Sequence, residues 1–379
     1  MATPLPTPPG DHLDDHLDDP LTLTGPDGLQ IQLRAQGASW VGCQVPLADG
    51  GVRSVVLGMA DAASHARQQA YLGATVGRWA NRIAGPHLTV DGQQRPLPSL
   101  PGLDHQLHGG PQGWSHRRWT LHDHGPQHAV WRLHSPDGDQ GFPGDVDAEV
   151  RYRLLPGLML QIDHRARVNR RCPVAMTCHA YFNLDGLPPV PPVAQLAGLA
   201  TPVPPVLAHR LQLAADRVQP VTPTLLPEGP PLPVAGGVFD FRQPRRLDQA
   251  WLCTEQQRRV RGIDHGFVLR QPGLPVPGDD RMPVPLSLDP AAVLTASDGR
   301  LQLQLFTSAP ALQVYTGNYL GPGTAGCTPT WPDHSGVALE PGFLADAPNQ
   351  AGPGAADGWC GPGRDFAQRS LYRFVSPVG

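Results

Sequence analysis

Residues 128–168 read HAVWRLHSPDGDQGFPGDVDAEVRYRLLPGLMLQIDHRARV, from His128 to Val168. Short runs in which apolar residues recur are stopped again and again by Gly, Pro or Asp, which is the pattern of strands joined by hairpins. The same punctuation extends in both directions. Toward the N-terminus come LTLTG, LQIQLRAQG, VGCQVPLADG, HLTVDGQQRPL and RWTLHDHG. Asp91-Gly92, Asp137-Gly138 and Asp298-Gly299 each fall between strand-like runs, where a tight turn calls for positive φ. Almost nowhere does a helical repeat of apolar residues last three turns, and 46 Pro and 43 Gly would interrupt most candidates. Short strands without βα alternation predict an all-β protein, either a large antiparallel β-sandwich or a large antiparallel barrel.

Structure is expected to begin near Leu21. Residues 1–19 carry a repeated DHLDD and read as a disordered or loosely attached tail, with 20–379 as a single domain. The Pro-rich stretch 187–206 has strand patterns on both sides and reads as a long surface loop within that domain.

Composition excludes several functions. A net charge of -4 and a pI near 6.4 give no reason to expect nucleic acid or an anionic membrane as partner. The chain has no lysine, which removes Schiff-base and pyridoxal-phosphate chemistry. Six scattered cysteines show no metal-ligand spacing and read as reduced thiols. The first residues are acidic and Pro-rich where a signal peptide would be basic and then apolar, and no apolar run of about 18 residues follows, so a cytoplasmic protein is expected. His122, His124 and His128 in LHDHGPQH suggest a metal site on paper, but their turn-rich setting reads as a surface hairpin.

Chemistry-bearing residues are spread along the chain. VALEPGFLADAPNQ, Val337–Gln350, carries Glu340 in an apolar run, a costly place for a carboxylate without a partner or a task. YLGATVGRWANRIAG offers Asn81 and Arg82, an amide and a fork of donors suited to sugar hydroxyls or a carboxylate. His108 is flanked by glycines in LHGG, His179 sits in the apolar VAMTCHAYFNLDG, and Asp264 opens the strand-like IDHGFVL. Each has an ordinary reading as well: a salt-bridged Glu, a strand-edge Arg, a turn His, a hydrogen-bonded core His, a turn-capping Asp.

Taken together, the blocks YLGATVGRWANRI, HQLHGGPQGWSHRRW, DQGFPGDV, MTCHAYFNLDG, HRLQLAADRVQPVTPTLLPEG, VFDFRQP, GIDHGFVL, LQVYTGNYL and ALEPGFLADAPNQ resemble the aldose 1-epimerases, or galactose mutarotases, in order and spacing. The resemblance runs from about Leu21 to the C-terminus. It implies a large antiparallel β-sandwich, the galactose mutarotase-like supersandwich, with a cleft for a monosaccharide. The reaction it implies interconverts the α and β anomers of free aldohexoses such as galactose or glucose, with no cofactor and no metal. Opening a hemiacetal ring needs a proton taken from the C1 hydroxyl and another given to the ring oxygen, so one base and one acid on opposite sides of the C1–O5 unit suffice. By resemblance Glu340 is the base and His179 the acid. Arg82, His108, Asp264 and Gln313 match positions that hold sugar hydroxyls, with Asn81 and Tyr181 nearby, and the protein would be a monomer or homodimer.

The chain departs from the family pattern at His105, Cys178, Pro341, Gly342 and Ala345-Asp346, changes expected to remove polar groups from the cleft. Two other functions fit a related sandwich. One is a non-catalytic sugar-binding protein or sensor, which would need no paired acid and base. The other is an epimerase of hexose 6-phosphates, which would need added cations in the cleft. Arg117-Arg118, Arg170-Arg171 and Arg245-Arg246 are available, but nothing in the sequence places them there.

Overall fold

Strand Val146–Leu155 shows why the sheets form. Val146, Ala148, Val150, Tyr152 and Leu154 are buried, while the residues between them are charged or partly exposed. That period of two gives a strand one face for the core and one for solvent. Its outer face is laced by cross-strand charges, such as Arg132 donating to Glu149 at 2.9 Å. The computed structural model describes residues 19–188, 205–249, 251–270, 274, 289–350 and 358–377. The tail expected over 1–19, apart from Asp19, and most of the Pro-rich stretch 187–206 lie outside the described residues.

Every ladder between described strands is antiparallel. The largest sheet has nine strands, in the order Thr120–Gly125, His128–Ser135, Val146–Leu155, Met159–Val168, Phe366–Val375, Gln302–Thr307, Ala292–Thr295, Arg210–Leu213 and Arg245–Arg246. A six-stranded sheet follows the order Tyr181–Phe182, Val337–Gly342, Ala311–Tyr315, Asp264–Leu269, Ala215–Val218 and Leu232–Pro233. Neither sheet closes on itself, so the fold is a β-sandwich and the barrel alternative falls. A four-stranded sheet over residues 21–54 supplies Trp40, whose ring meets Phe182 of the six-stranded sheet at 5.5 Å and Tyr372 of the nine-stranded sheet at 5.4 Å. Gln368 of the nine-stranded sheet donates to Pro341 O across the same interior at 3.0 Å.

Helices are few and short, as Pro and Gly frequency led one to expect: Ala62–Arg67, Glu255–Val260, Leu320–Gly323 and Ala347–Gln350. None of the described helices is long and apolar enough to cross a membrane. The Asp91-Gly92 turn joins strands His87–Val90 and Gln93–Pro96 with both residues at positive φ, 50° and 77°. His122 and His124 are exposed on the hairpin that ends at His128, where they decorate the edge of the nine-stranded sheet.

The strand Val337–Gly342 is buried along its whole length because it has a core on each side. Val337 and Leu339 join the sandwich interior, while Ala338 joins a second apolar cluster with Leu57, Leu72, Tyr181 and Trp331 on the opposite face. Glu340 shares the face of Ala338. The carboxylate therefore points away from the sandwich core, into a cleft built on the outside of the six-stranded sheet.

Candidate active site

Three neighbouring strands aim polar groups into that cleft. Gln313 lies directly opposite Glu340, and Asp264 lies opposite Tyr315 in the next ladder. Gln313 Nε2 donates to Asp264 Oδ1 at 2.6 Å, so the amide is fixed by the carboxylate. Tyr181 pairs with Ala338 on the other side of the Glu340 strand, and continuing that register by two residues brings His179 opposite Glu340. The backbone of His179 is clamped by small residues: its N–H donates to Ala74 O at 2.9 Å and its carbonyl accepts from Gly73 N at 3.0 Å. Gly73 itself sits at φ 68°, where a Cβ would strike the Trp40 carbonyl, so this position in YLGATVG takes glycine.

His179 Nε2 stands 3.4 Å from Glu340 Oε1, with the two side chains only 5% and 6% exposed. Acid and base candidates were expected on opposite sides of the reacting unit. They are instead adjacent on one wall, because neighbouring strands deliver both. C1 carries both reacting oxygens, so two side-by-side groups can still reach one each.

The opposite wall comes from two loops that hold each other. Asn81 and His108 are both left-handed, with φ of 70° and 48°. His108 N–H donates to Asn81 O at 3.0 Å, and Asn81 N–H donates to His108 Nδ1 at 3.2 Å. The turn continues through Gly109 at φ 82°, where a Cβ would collide with the Gly77 carbonyl. LHGG is thus a turn that only glycine completes. Asn81 Oδ1 accepts from Arg82 Nη1 at 3.1 Å, and Arg82 Nη2 lies 3.5 Å from Asp264 Oδ2. Asp264 therefore holds Arg82 with one oxygen and Gln313 with the other.

All eight residues singled out from the sequence (Asn81, Arg82, His108, His179, Tyr181, Asp264, Gln313 and Glu340) line this one cleft of about 190 Å³. The volume is below the roughly 300–1,000 Å³ of drug-sized pockets, in keeping with a smaller ligand. A larger groove of about 1,320 Å³ lies elsewhere, over Gln32, Gln44 and Trp331, and its Asp61 is spent capping a helix. The reading missed Gln69, Tyr71, Leu225, Tyr315 and Tyr319, which also line the cleft. Tyr71 stacks on His179 at 5.9 Å and 30°, and its place at the head of YLGATVG was the available signal. The expectation about departures is corrected: His105, Cys178, Pro341, Gly342 and Ala345 do not line the cleft. Asp346 instead braces the Arg82 strand, accepting from Ala84 N at 2.8 Å.

Burial dominates the electrostatics. It pushes the Glu340 carboxyl up to about 8, assisted by the Asp264 charge and opposed by Arg82. It pushes the His179 imidazole down to about 4, with Arg82 acting in the same direction. Both groups thus favour their neutral forms, and between about pH 4 and pH 8 the pair holds one proton. His108 is driven well below the usual histidine range by burial, then by His179 and Arg82, so it is neutral. Because its Nδ1 accepts from Asn81, Nε2 carries the ring proton and is a donor.

That tautomer also bears on metal binding. His108, His179 and Glu340 bring donor atoms within 4.8 Å of one another, close enough on distance alone to hold an ion. Neutral imidazole has a single ring lone pair, and that of His108 is already engaged by the Asn81 N–H. The trio fits a hydrogen-bonding sugar site better than a metal centre.

The model of the family described as aldose 1-epimerase matches residues 19–369. The aldose 1-epimerase of Escherichia coli K12 is 38% identical over 356 residues, covering 94% of this chain and 95% of that protein. The galactose mutarotase of Rattus norvegicus is 33% identical over 351 residues, 92% of either chain. Among solved structures, an aldose epimerase homologue from C. elegans superposes with a TM-score of 0.77 at 25% identity, over 95% of this chain and 99% of the other. The chain belongs to the aldose 1-epimerase family.

Proposed function

We propose that the protein interconverts the α and β anomers of free aldohexoses, D-galactose and D-glucose, using Glu340 and His179 as the proton-transfer pair. The chain is an isomerase. Ring opening requires a proton to leave the C1 hydroxyl while another reaches O5. Glu340, as carboxylate, takes the first; His179, as imidazolium, gives the second. Shift of the shared proton from Glu340 to His179, whose atoms are 3.4 Å apart, reaches this form without exchange with solvent. The open-chain aldehyde then rotates about C1–C2 and recloses by the reverse transfers, which restores the protonation state of the pair.

Arg82, Asp264 and Gln313 form a connected fan of donors and acceptors for sugar hydroxyls, prearranged by the bonds they make to one another. Neutral His108 offers a donor from the opposite wall, able to stabilise negative charge on an oxygen. Tyr71, Tyr181 and Tyr315 surround His179, and their rings exclude water from the transfer.

The observation that carries this reading is the buried 3.4 Å contact between one carboxyl and one imidazole beneath a cleft of monosaccharide size. A sensor has no use for such a pair. Phosphorylated sugars are disfavoured because Arg82 is the single Arg lining the cleft among the described residues. Arg117, Arg171 and Arg246 instead pair with Asp139, Asp91 and Asp248 outside it. Polarimetry on freshly dissolved α-D-galactose, α-D-glucose and their 6-phosphates tests the proposal. Acceleration with the free sugars and none with the phosphates is expected; measurable sugar binding without acceleration would leave the sensor.

A further inference from the structure

The strands that carry the acid and the base part from one another at the site. The ladder between Tyr181–Phe182 and Val337–Gly342 pairs Tyr181 with Ala338 and Phe182 with Val337, and extends no further. Just upstream, Thr177 and Cys178 pair instead with Val76 and Thr75, in a separate two-stranded ladder. His179 follows them, bonded to Gly73 and Ala74, while Glu340 stays in the six-stranded sheet opposite Gln313. Residue 341, next to Glu340, is proline and has no N–H to give a ladder. The 3.4 Å between His179 and Glu340 is therefore set across a seam where the regular pairing has ended.

Gln368 closes that seam from behind. Its strand, Phe366–Val375, belongs to the nine-stranded sheet, and Phe366, Tyr372 and Phe374 on the same face join the main core. Among them Gln368 is 3% exposed, and an amide in such surroundings costs free energy unless its polar atoms are bonded. Its Nε2 donates to Met176 O at 3.2 Å and to Pro341 O at 3.0 Å. The first carbonyl lies shortly before His179 in the chain, and the second belongs to the residue after Glu340. One amide nitrogen thus grips both strands that deliver the pair.

The grip is anchored in the sheet behind it. On the other face of the same strand, Arg369 makes two bonds to Asp163, Nε to Oδ1 at 2.7 Å and Nη2 to Oδ2 at 2.8 Å, with both side chains buried. This fork fixes Phe366–Val375 to Met159–Val168 at the residue next to Gln368.

We propose that Gln368 is a positioning residue for anomer exchange: by bridging Met176 O and Pro341 O it sets the separation at which His179 and Glu340 pass a proton. The proposal rests on the roles given above to that pair. Gln368 does not line the cleft, so it acts through the two strands and not on the sugar. Arg82, Asp264 and Gln313 are held by bonds to one another and not by this amide, so its loss should weaken turnover and spare sugar binding.

Gln368→Met keeps the length of the side chain and removes both donations. Its polarimetric kcat for α-D-galactose is expected to fall about tenfold or more while KM stays within twofold, since a misplacement of about 1 Å costs on the order of 10²-fold. Ile31→Ala, a cavity in the four-stranded sheet, should lower the melting temperature yet leave kcat within twofold, which separates positioning from stability. Gln368→Glu has the shape of the native residue but offers at most one proton in place of two, and it is read in the same way if Gln368→Met does not fold. Crystal structures of wild type and variant without sugar give a second readout. The His179 Nε2 to Glu340 Oε1 separation should differ between them by about 0.5 Å or more, the tolerance of a productive constellation. A kcat within twofold of wild type, an equal loss of kcat in Ile31→Ala, or an unchanged separation overturns the inference. Because the separation is measured without substrate, it decides the bridge even if wild type proves inactive on free sugars, a result that would sink only the assignment of the pair.

Discussion

Replacing Glu340 by Gln separates the chemistry of the pair from its packing. The amide matches the carboxyl in shape, so the contact with His179 and the position opposite Gln313 persist. What disappears is the group that takes the proton. Loss of a general acid or base costs about 10²- to 10⁴-fold in rate, or about 3–6 kcal/mol of transition-state stabilisation at about 1.4 kcal/mol per factor of ten.

Stability should move the other way. The folded carboxyl titrates near 8 against an unfolded value near 4.5. Its contribution is present in full below about pH 4.5, declines as pH rises through the folded value, and is fully lost above about pH 8. A shift of that size corresponds to a cost on the order of 5 kcal/mol at alkaline pH, which the amide does not incur. The assay is paired: polarimetric rates with α-D-galactose at pH 7, and thermal melts at pH 5 and pH 9. Glu340→Gln should lose at least a hundredfold in rate, and its melting temperature relative to wild type should rise from pH 5 to pH 9. A variant within tenfold of wild-type rate, or one that melts progressively lower than wild type as pH rises, refutes the reasoning.

Three further outcomes follow from the same geometry. The pair needs one proton, so kcat/KM corrected for the spontaneous reaction should be level across pH 5 to 7 and fall above about pH 8, where that proton is lost; a rate still climbing at pH 9 contradicts a shared proton. Asp264→Asn should raise KM for galactose about tenfold or more while circular dichroism stays unchanged, since the amide releases Arg82 and Gln313 without opening a cavity; an unaltered KM would remove Asp264 from sugar binding. Gly109→Ala should cost several degrees or more of melting temperature, because the methyl meets the Gly77 carbonyl at a positive φ; a melt equal to wild type would mean the turn has another conformation.

Much of the fold was legible because its strands obey local rules. Alternation in Val146–Leu155 and the Asp91-Gly92 turn follow from side-chain period and turn chemistry alone. What local pattern could not give was register. Glu340 and His179 meet because Tyr181 pairs with Ala338, a long-range choice that no window of sequence encodes. For the same reason the adjacency of the two groups was missed even though both were named. Tyr71 and Leu225 escaped notice because each occupies a left-handed backbone position, at φ 56° and 65°, which turns a residue of an ordinary loop toward the cleft. The departures at His105 and Cys178 looked consequential in the sequence, but Cys178 lies beside His179 and His105 two residues before Leu107, each with its own side chain directed elsewhere. Cys178 Sγ donates to Gly73 O, and His105 Nδ1 is 3.0 Å from Asp104 Oδ1.

Exchange between the two anomeric proton signals of D-galactose, measured by two-dimensional NMR at equilibrium, tests the proton-transfer pair most directly because it reads ring opening and reclosure without any net reaction. With wild-type protein, cross-peaks between the anomers should grow in proportion to enzyme concentration while the anomer ratio stays constant; with Glu340→Gln and His179→Gln combined they should fall to the level of buffer. Cross-peaks in the double variant as strong as in wild type would contradict the assignment of catalysis to these two residues.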